Sequence, residues 1–208
     1  MESFSSLPNP VVNHATLLGM LDQYARPNDK ISELIAKQEL LPLKRGLYLL
    51  AHTQQTSKEL IANHLHGPSY VSRHWALAYY GLLTERVSLV TSMCLERSRQ
   101  VETQQGTFHY QAIPAAYYAM GISSIQQGDI AFMIATPEKA LTDLLVSTRH
   151  LRLYSQTTML TYLENDLRLD EEDLKQLDIA RLFSFTEQGY KSALLTLLAK
   201  TIEGLSHA

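Results

Sequence analysis

The segment LPLKRGLYLL, residues 41–50, gives the first indication of the fold. Two apolar stretches, LPL and LYLL, are separated by Lys44, Arg45 and Gly46. Gly46 can adopt the positive φ that a tight turn requires, because glycine has no Cβ to clash with the backbone. The segment therefore predicts a β-hairpin whose tip carries two cations, Lys44 and Arg45.

Two helices are predicted upstream of this hairpin. Asn13 is a favourable N-cap, and apolar side chains follow it at helical spacing as far as Tyr24. Pro27 is expected to stop this helix, and a second helix is expected from Asn28 to Gln38. Two helices followed by a hairpin with a basic tip are the outline of a winged helix-turn-helix, which we place at residues 1–53.

A second pair of helices, downstream of the hairpin, is a rival candidate for a DNA-reading motif. Thr56 is expected to cap the first helix, the dipeptide Gly67-Pro68 to end it, and Ser69 to cap the next. Arg73 and His74 would then be possible contacts to bases. The second helix is strongly apolar on one side, however, and helix pairs with short turns are common in ordinary cores. The upstream helix is therefore the preferred reader of DNA.

The rest of the chain predicts a mixed domain. From Val87 onward apolar and polar residues alternate, which is typical of strands, and residues 104–106 (QQG) suit a hairpin turn. IAFMIA at 130–135 predicts a buried strand, and Pro137 suits the first position of a helix. Leucine-rich helices follow. The predicted class is α+β: the N-terminal winged helix-turn-helix, then a domain at 54–208 with antiparallel strands and a helical C-terminal end.

Charge is distributed unevenly along the 208 residues, whose formal net charge is -3. Residues 1–75 carry 7 Lys/Arg against 6 Asp/Glu, a balance of +1. Residues 76–208 carry 11 against 15, a balance of -4. The net charge argues against a protein that binds nucleic acid over its whole surface, whereas the asymmetry permits, without requiring, local DNA binding at the N-terminal end.

The composition also indicates where in the cell the protein is located. We find no apolar run near the ~20 residues that span a bilayer, and Met1 to Asn9 lack the features of a secretion signal. Cys94 is the only cysteine, so an internal disulfide is excluded. These features predict a cytoplasmic protein without a membrane partner. Cys94 lies on a predicted strand and is expected to be a small buried side chain rather than a nucleophile.

Side chains that could support catalysis or metal binding are few. His64 and His66 are two positions apart near a helix end, so they face different directions and make a poor metal pair. Glu138, Lys139 and Asp143 lie near the start of one helix, where capping and an i,i+4 ion pair explain them better than a nuclease site does. We therefore expect a protein that is not an enzyme and needs no metal or cofactor.

Four segments occur in an order that resembles a known family, the AbiEi antitoxins. These antitoxins belong to bacterial abortive-infection systems classed as type IV toxin–antitoxin modules. The resemblance covers residues 13–151, about two-thirds of the chain, and the second segment is the most specific. The segments are LKRGLYLL (43–50), ELIANHLHGPSYVSRHWALAYYGLL (59–83), VTSM (90–93) and IATPEKALTDLL (134–145).

The resemblance implies a repressor and antitoxin. In this family the winged helix binds inverted repeats in the double-stranded DNA of the module's own promoter. The C-terminal domain is associated with counteracting a nucleotidyltransferase-like toxin, without requiring a stable complex with it. The alternative is a stand-alone winged-helix regulator without a toxin. Transferred to this chain, the second helix would be the recognition helix and Lys44 and Arg45 the wing tip. The polar face of that helix comprises Asn28, Lys30, Ser32, Glu33 and Lys37.

Overall fold

The computed structural model describes residues 9–51 and 57–206 and contains two β-sheets. The smaller sheet is formed near the N-terminus, together with two helices. Its strands are antiparallel in the order β1-β3-β2. The elements in chain order are β1 (Val11–Asn13), α1 (His14–Met20), α2 (Pro27–Ala36), β2 (Leu40–Lys44) and β3 (Leu47–Leu50).

Local signals explain most of these boundaries. The Asn13 side chain accepts a hydrogen bond from the amide of Thr16 at 2.8 Å and so caps α1 as predicted. Gly46 has φ +76° in the turn between β2 and β3, which confirms the predicted hairpin. The prediction for Pro27 was wrong in one respect, because α1 already ends at Met20 and Pro27 is the first residue of α2. Proline suits that position since the amide it lacks would have no partner in the helix.

The small sheet is covered on both faces. One face forms a small core with α1 and α2, which includes Val12, Leu17, Ile31 and Leu34. The opposite face contributes to the large core of the rest of the chain, which also contains apolar residues of α3 (Lys58–Leu65). The residues of the small sheet in that large core are Val11, Leu43, Leu47 and Leu49.

Helix α3 begins after a serine cap. The Ser57 hydroxyl accepts a hydrogen bond from the Leu60 amide at 3.1 Å. The predicted cap at Thr56 and the predicted domain boundary at 53/54 both lie outside the described residues.

The larger sheet has six strands in the order β6-β7-β5-β4-β9-β8. Its two central strands, β4 and β5, are antiparallel, and each has a parallel neighbour on its outer side, β9 beside β4 and β7 beside β5. The prediction of antiparallel strands is therefore wrong for these two pairs. The strands are β4 (Ser69–Val71), β5 (Val90–Cys94), β6 (Arg99–Thr103), β7 (Gly106–Ala112), β8 (Ile122–Gln127) and β9 (Ile130–Ala135).

Helices pack around this sheet and fill the C-terminal end. The longest of those described is the last, α10, and the most deeply buried is α6, whose residues 138–146 are all buried. The helices are α4 (Arg73–Tyr79), α5 (Ala115–Tyr118), α6 (Pro137–Ser147), α7 (Gln156–Thr161, continued by a π-helical turn at Tyr162–Asp166), α8 (Glu171–Lys175), α9 (Ile179–Ser184) and α10 (Ser192–Ser206). The α+β class is confirmed. Across residues 9–51 and 57–206, no helix has both the length and the apolar character needed to cross a membrane.

Candidate nucleic-acid interface

Helix α2 presents a polar face to solvent. Ile31 and Leu34 are buried against the small core, which fixes the orientation of the helix. On its outer side Asn28, Ser32, Glu33 and Lys37 are exposed and Lys30 is half-buried. Four of the five residues of the predicted reading face therefore lie on α2, whose apolar side is anchored, and the fifth, Lys37, is its C-cap residue.

The Glu33 carboxylate forms ion pairs with both lysines of this face. Glu33 Oε2 lies 3.0 Å from Lys30 Nζ, and Glu33 Oε1 lies 2.6 Å from Lys37 Nζ. The hydrogen bond from Lys37, followed by that from Lys30, lowers the pKa of Glu33, and the same contact raises the pKa of Lys37. Exposed ion pairs of this kind contribute little to stability and are readily exchanged for other partners. The two ammonium groups are thus positioned on the helix surface without being fixed in the fold.

The polar groups at the start of α2 are arranged differently. The Ser32 hydroxyl donates to the backbone carbonyl of Asn28 at 3.1 Å, so its donor is used within the helix. Within the described part of the chain, the Asn28 side chain makes no hydrogen bond of its own. Its amide and carbonyl groups can form the paired hydrogen bonds with which asparagine recognises adenine in the major groove.

The two cations at the hairpin tip have different environments. Lys44 Nζ donates to the carbonyl of Leu65 at 2.6 Å, at the C-terminal end of α3. Burial, and then the charge of Arg99, lowers the pKa of Lys44. Arg45 is exposed at the turn. Lys44 is exposed as well, but its ammonium group is already bonded within the fold, because the C-terminal carbonyls of α3 attract it.

The hairpin tip is also attached to the first helix. The His14 amide donates to the Gly46 carbonyl at 2.9 Å. The Tyr48 hydroxyl lies 3.5 Å from His14 Nδ1, which links β3 to the same residue. These contacts make the helix pair and the hairpin one structural unit, so Arg45 has a defined position relative to α1.

The rival pair of helices is not formed as predicted. Ser69 to Val71 is a strand of the large sheet, and α4 starts only at Arg73. Arg73 has φ +58° and is half-buried, and burial lowers the pKa of both Arg73 and His74. A helix-turn-helix needs its second helix directly after the turn, and here a buried strand intervenes. The upstream pair, α1 and α2, remains as the candidate.

A buried ion pair is the main polar feature of the large core. Lys139 Nζ lies 3.3 Å from Asp143 Oδ1, and both side chains have 0% exposure. The Asp143 carboxylate accepts hydrogen bonds from Ser72 Oγ at 2.6 Å and from Tyr70 OH at 3.0 Å. Lys139 Nζ donates to the Tyr117 carbonyl at 2.8 Å and lies 3.0 Å from the centroid of the Tyr117 ring.

Burial perturbs both members of this pair. It lowers the pKa of Lys139 to about 8, although the charge of Asp143 opposes the shift. It raises the pKa of Asp143, although Lys139 and the two hydroxyl donors oppose that shift. Perturbed ionisable groups often mark active sites. Here neither group is accessible to a substrate, and the pair links α6 to β4, to Ser72 and to the C-terminal end of α5.

Glu138, the third member of the predicted charged group, also has a structural role. Its Oε2 lies 3.2 Å from Arg181 Nη1, and its Oε1 accepts a hydrogen bond from the Asp178 amide at 3.1 Å. Glu138 thereby connects α6 to the start of α9. Lys139 and Asp143 bind each other, whereas Glu138 binds Arg181 and the Asp178 amide, so the three charged residues of α6 do not converge on one point.

His64, His66 and Cys94 contact other residues of the fold. His64 Nε2 lies 3.0 Å from Asn9 Nδ2, and the His66 ring packs edge-on against Tyr110 with centroids 5.0 Å apart. Cys94 is buried on β5, as expected, and its burial raises its thiol pKa. No cluster of three or more His, Cys, Asp or Glu side chains suited to a metal ion occurs in the described ranges.

No protein-family model matches the chain, and no significant match to a curated protein is found.

Proposed function

We propose that this protein is a DNA-binding transcriptional repressor whose residues 9–51 act as a winged helix-turn-helix. The observation that carries the proposal is the order of elements, β1-α1-α2-β2-β3, with sheet order β1-β3-β2. In this arrangement a helix with one anchored apolar face and one polar face precedes a hairpin whose tip carries an exposed arginine. That combination is what a recognition helix and a wing require.

The proposed division of work follows from the environment of each side chain. Asn28 at the start of α2 and Lys37 at its end would contact base edges, because asparagine pairs with adenine and lysine with guanine. Lys30 and Glu33 would adjust the charge of the same surface, since Glu33 can accept a hydrogen bond from cytosine. Arg45 would contact a phosphate, which adds affinity without sequence preference.

The weak positive charge of the N-terminal part limits how this protein can bind DNA. A balance of +1 over residues 1–75 supports only a small nonspecific, salt-dependent contribution. Sequence-specific contacts and a symmetric pair of half-sites would have to supply the rest of the affinity. An inverted repeat, as in the promoters that AbiEi antitoxins bind, is the type of operator that meets this requirement.

The antitoxin role is a further part of the proposal and depends on the resemblance to the AbiEi family. It assigns residues 54–208 to counteracting a nucleotidyltransferase-like toxin in the cytoplasm, without a stable complex. The acidic balance of -4 beyond residue 75 supports a role for this part of the chain other than general DNA binding.

A promoter–reporter experiment tests both roles. The DNA directly upstream of the coding sequence drives a fluorescent reporter, and the full-length chain is supplied from a separate inducible plasmid. We expect repression by the natural chain and not by a variant with Asn28→Ala, Lys37→Ala and Arg45→Ala. If the adjoining reading frame encodes a nucleotidyltransferase-like protein, the chain should also restore growth when the two are co-expressed. Reporter repression without such a neighbour would favour the stand-alone regulator, and unchanged reporter output would contradict the proposal.

A further inference from the structure

A groove with cationic and apolar lining lies in the C-terminal part of the chain. It has a volume of about 810 Å³ and runs between the segment 148–154, which follows α6, and the first half of α10. A second cavity of about 330 Å³ shares Thr148, His150 and Lys191 with it and adds Arg149. We call the two together the cationic groove. Its half-buried apolar side chains are Leu151, Leu153, Leu194 and Leu197, and its exposed cations are Arg149, Lys191 and Lys200.

The charge of this groove is opposite to that of its surroundings. The segments 148–154 and 189–200 contain four of the eleven Lys/Arg of residues 76–208 and none of the fifteen Asp/Glu. The remainder of this part of the chain is therefore strongly acidic. Among residues 9–51 and 57–206, no carboxylate side chain lines either cavity. A local positive surface of this kind attracts an anionic partner and orients its approach.

The walls of the groove are held in an unusual conformation. His150 has φ +58° and Lys191 has φ +48°, which is the left-handed region that residues with a Cβ rarely adopt. Lys191 Nζ donates to the Val146 carbonyl at 2.7 Å, and Gln156 Nε2 donates to the Lys200 carbonyl at 3.3 Å. The first contact attaches the start of α10 to the end of α6, and the second attaches α10 to α7. The groove is thus built by contacts between elements and is not a gap between mobile loops.

One aromatic side chain at the groove is free to contact a partner. Tyr154 is 84% exposed, the largest exposure among the large apolar side chains of the described chain. Tyrosine is enriched at protein–protein interfaces, because it offers a large contact area with little loss of side-chain entropy.

We propose that the cationic groove is a docking site for an acidic amphipathic segment of a partner protein. The apolar side chains of that segment would lie on the four leucines, and its carboxylates would bind Arg149, Lys200 and the remaining donors of Lys191. Tyr154 would cover the bound segment. A nucleic acid fits this surface less well, because it offers little aliphatic surface to place on the four leucines and Tyr154 is a single stacking platform. The proposal does not depend on DNA binding by α2.

A designed peptide pair tests the charge and apolar requirements together. The probe is a fluorescein-labelled helical peptide with leucines at positions i, i+3, i+4 and i+7 and glutamates elsewhere, and its neutral twin has glutamines in place of the glutamates. Binding to the full-length protein is measured by fluorescence anisotropy at low salt. We expect the acidic peptide to bind at least about tenfold more tightly than the neutral one, since several charge pairs are lost together.

Charge-reversal substitutions in the protein provide the second part of the experiment. The variant with Arg149→Glu and Lys200→Glu should weaken binding of the acidic peptide by about tenfold or more. The variant with Arg86→Glu and Arg97→Glu, an equal change in charge at two exposed arginines outside the groove, is the matched control and should leave the affinity within about twofold. Circular dichroism checks that the variants are folded. If the double variant is not folded, Lys200→Gln alone should fold, because the Lys200 side chain makes no hydrogen bond or ion pair with the described residues. It should still give a measurable loss of peptide binding.

Three results would overturn the proposal. One is equal binding of the acidic and neutral peptides. Another is binding of the acidic peptide that is unaffected by the charge reversals. The third is tight binding of a single-stranded thymidine oligonucleotide that is lost in the double variant, together with no binding of the peptide, which would make the groove a nucleic-acid surface.

Discussion

Lys139 and Asp143 form an ion pair from which water is excluded, with Lys139 Nζ 3.3 Å from Asp143 Oδ1 and neither side chain exposed. The pair is spaced i,i+4 on α6, and its other contacts reach Ser72, Tyr70 and Tyr117. Burying two charges costs free energy that their attraction only partly offsets, so such a pair is sensitive to the loss of either member.

Removing one member of the pair should destabilise the protein strongly. We expect Asp143→Ala to lower the free energy of unfolding by about 3–5 kcal/mol, because it leaves the Lys139 ammonium buried without its counter-charge. Urea denaturation followed by circular dichroism measures this change. Lys175→Ala, which removes two ion pairs at the surface of α8, with Glu171 and Glu172, is the control and should leave the midpoint unchanged. A midpoint for Asp143→Ala equal to that of the natural chain would show that the pair is not needed for stability.

The same pair should give an unusual dependence of stability on pH. The pKa of Lys139 is about 8 in the folded protein and lies near its ordinary value of 10.5 in the unfolded chain. Between these values the unfolded state binds more protons, so this residue's contribution to stability increases as pH rises. We expect the stability of the natural chain, relative to a Lys139→Met and Asp143→Leu double variant, to increase by about 2 kcal/mol from pH 8 to pH 10. Denaturation at several pH values measures this difference, and a constant or falling difference would exclude the assigned shift.

Arg45 and Lys44 should differ in their effects on DNA binding. We expect Arg45→Ala to weaken binding to specific and random duplexes alike and to reduce the salt slope by about 1, as the loss of one phosphate contact does. Lys44→Ala should leave that slope unchanged and lower the thermal midpoint instead, because its ammonium group binds the Leu65 carbonyl. Anisotropy titrations at several salt concentrations separate the two effects. Equal reductions of the slope by both substitutions would mean that Lys44 leaves α3 when DNA binds.

The fragment 54–208 should fold, but less stably than the full chain. It retains the six-stranded sheet and the helices around it, which contain most of the large core. It lacks Val11, Leu43, Leu47 and Leu49, which belong to that core, so apolar surface on α3 becomes exposed. Thermal unfolding should therefore be cooperative with a lower midpoint. A non-cooperative transition would mean that the two parts fold only together.

Local signals of the N-terminal part predicted its elements well. Asn13 caps α1, Gly46 allows the turn, and the apolar spacing in α1 and α2 marks the buried face of each helix. Each of these signals acts over only a few residues, so the helix pair and the hairpin could be predicted from them. Strand β1 was not predicted, because three residues beside a proline carry no visible periodicity. The hydrogen bond from Lys44 to α3 depends on a carbonyl 21 positions away, and no local pattern indicates it.

Long-range packing accounts for the larger errors. Ser69 to Val71 was expected to be helical, because serine is a good cap and apolar residues follow at helical spacing. The segment is a strand since it pairs with β5 on one side and β9 on the other. Similarly, Lys139 and Asp143 have the spacing of a surface ion pair, and their burial follows from helices and strands that cover α6 from several sides. The only sequence signal of that buried site is that residues 138, 139, 142 and 143 are all polar within an otherwise apolar helix.

The preference of α2 for a particular DNA sequence is the most direct test of the proposed function. Fluorescence anisotropy compares binding of the full-length protein to its own upstream DNA and to a scrambled duplex of equal length and composition, at one fixed salt concentration. We expect a clear preference for the upstream DNA. Asn28→Ala should reduce this preference by about 1–3 kcal/mol, since a paired contact to one base is lost, while binding to the scrambled duplex stays unchanged. Lys175→Ala should alter neither affinity. Equal affinity of the natural protein for the two duplexes, or an unchanged preference in Asn28→Ala, would contradict the assignment of α2 as the recognition helix.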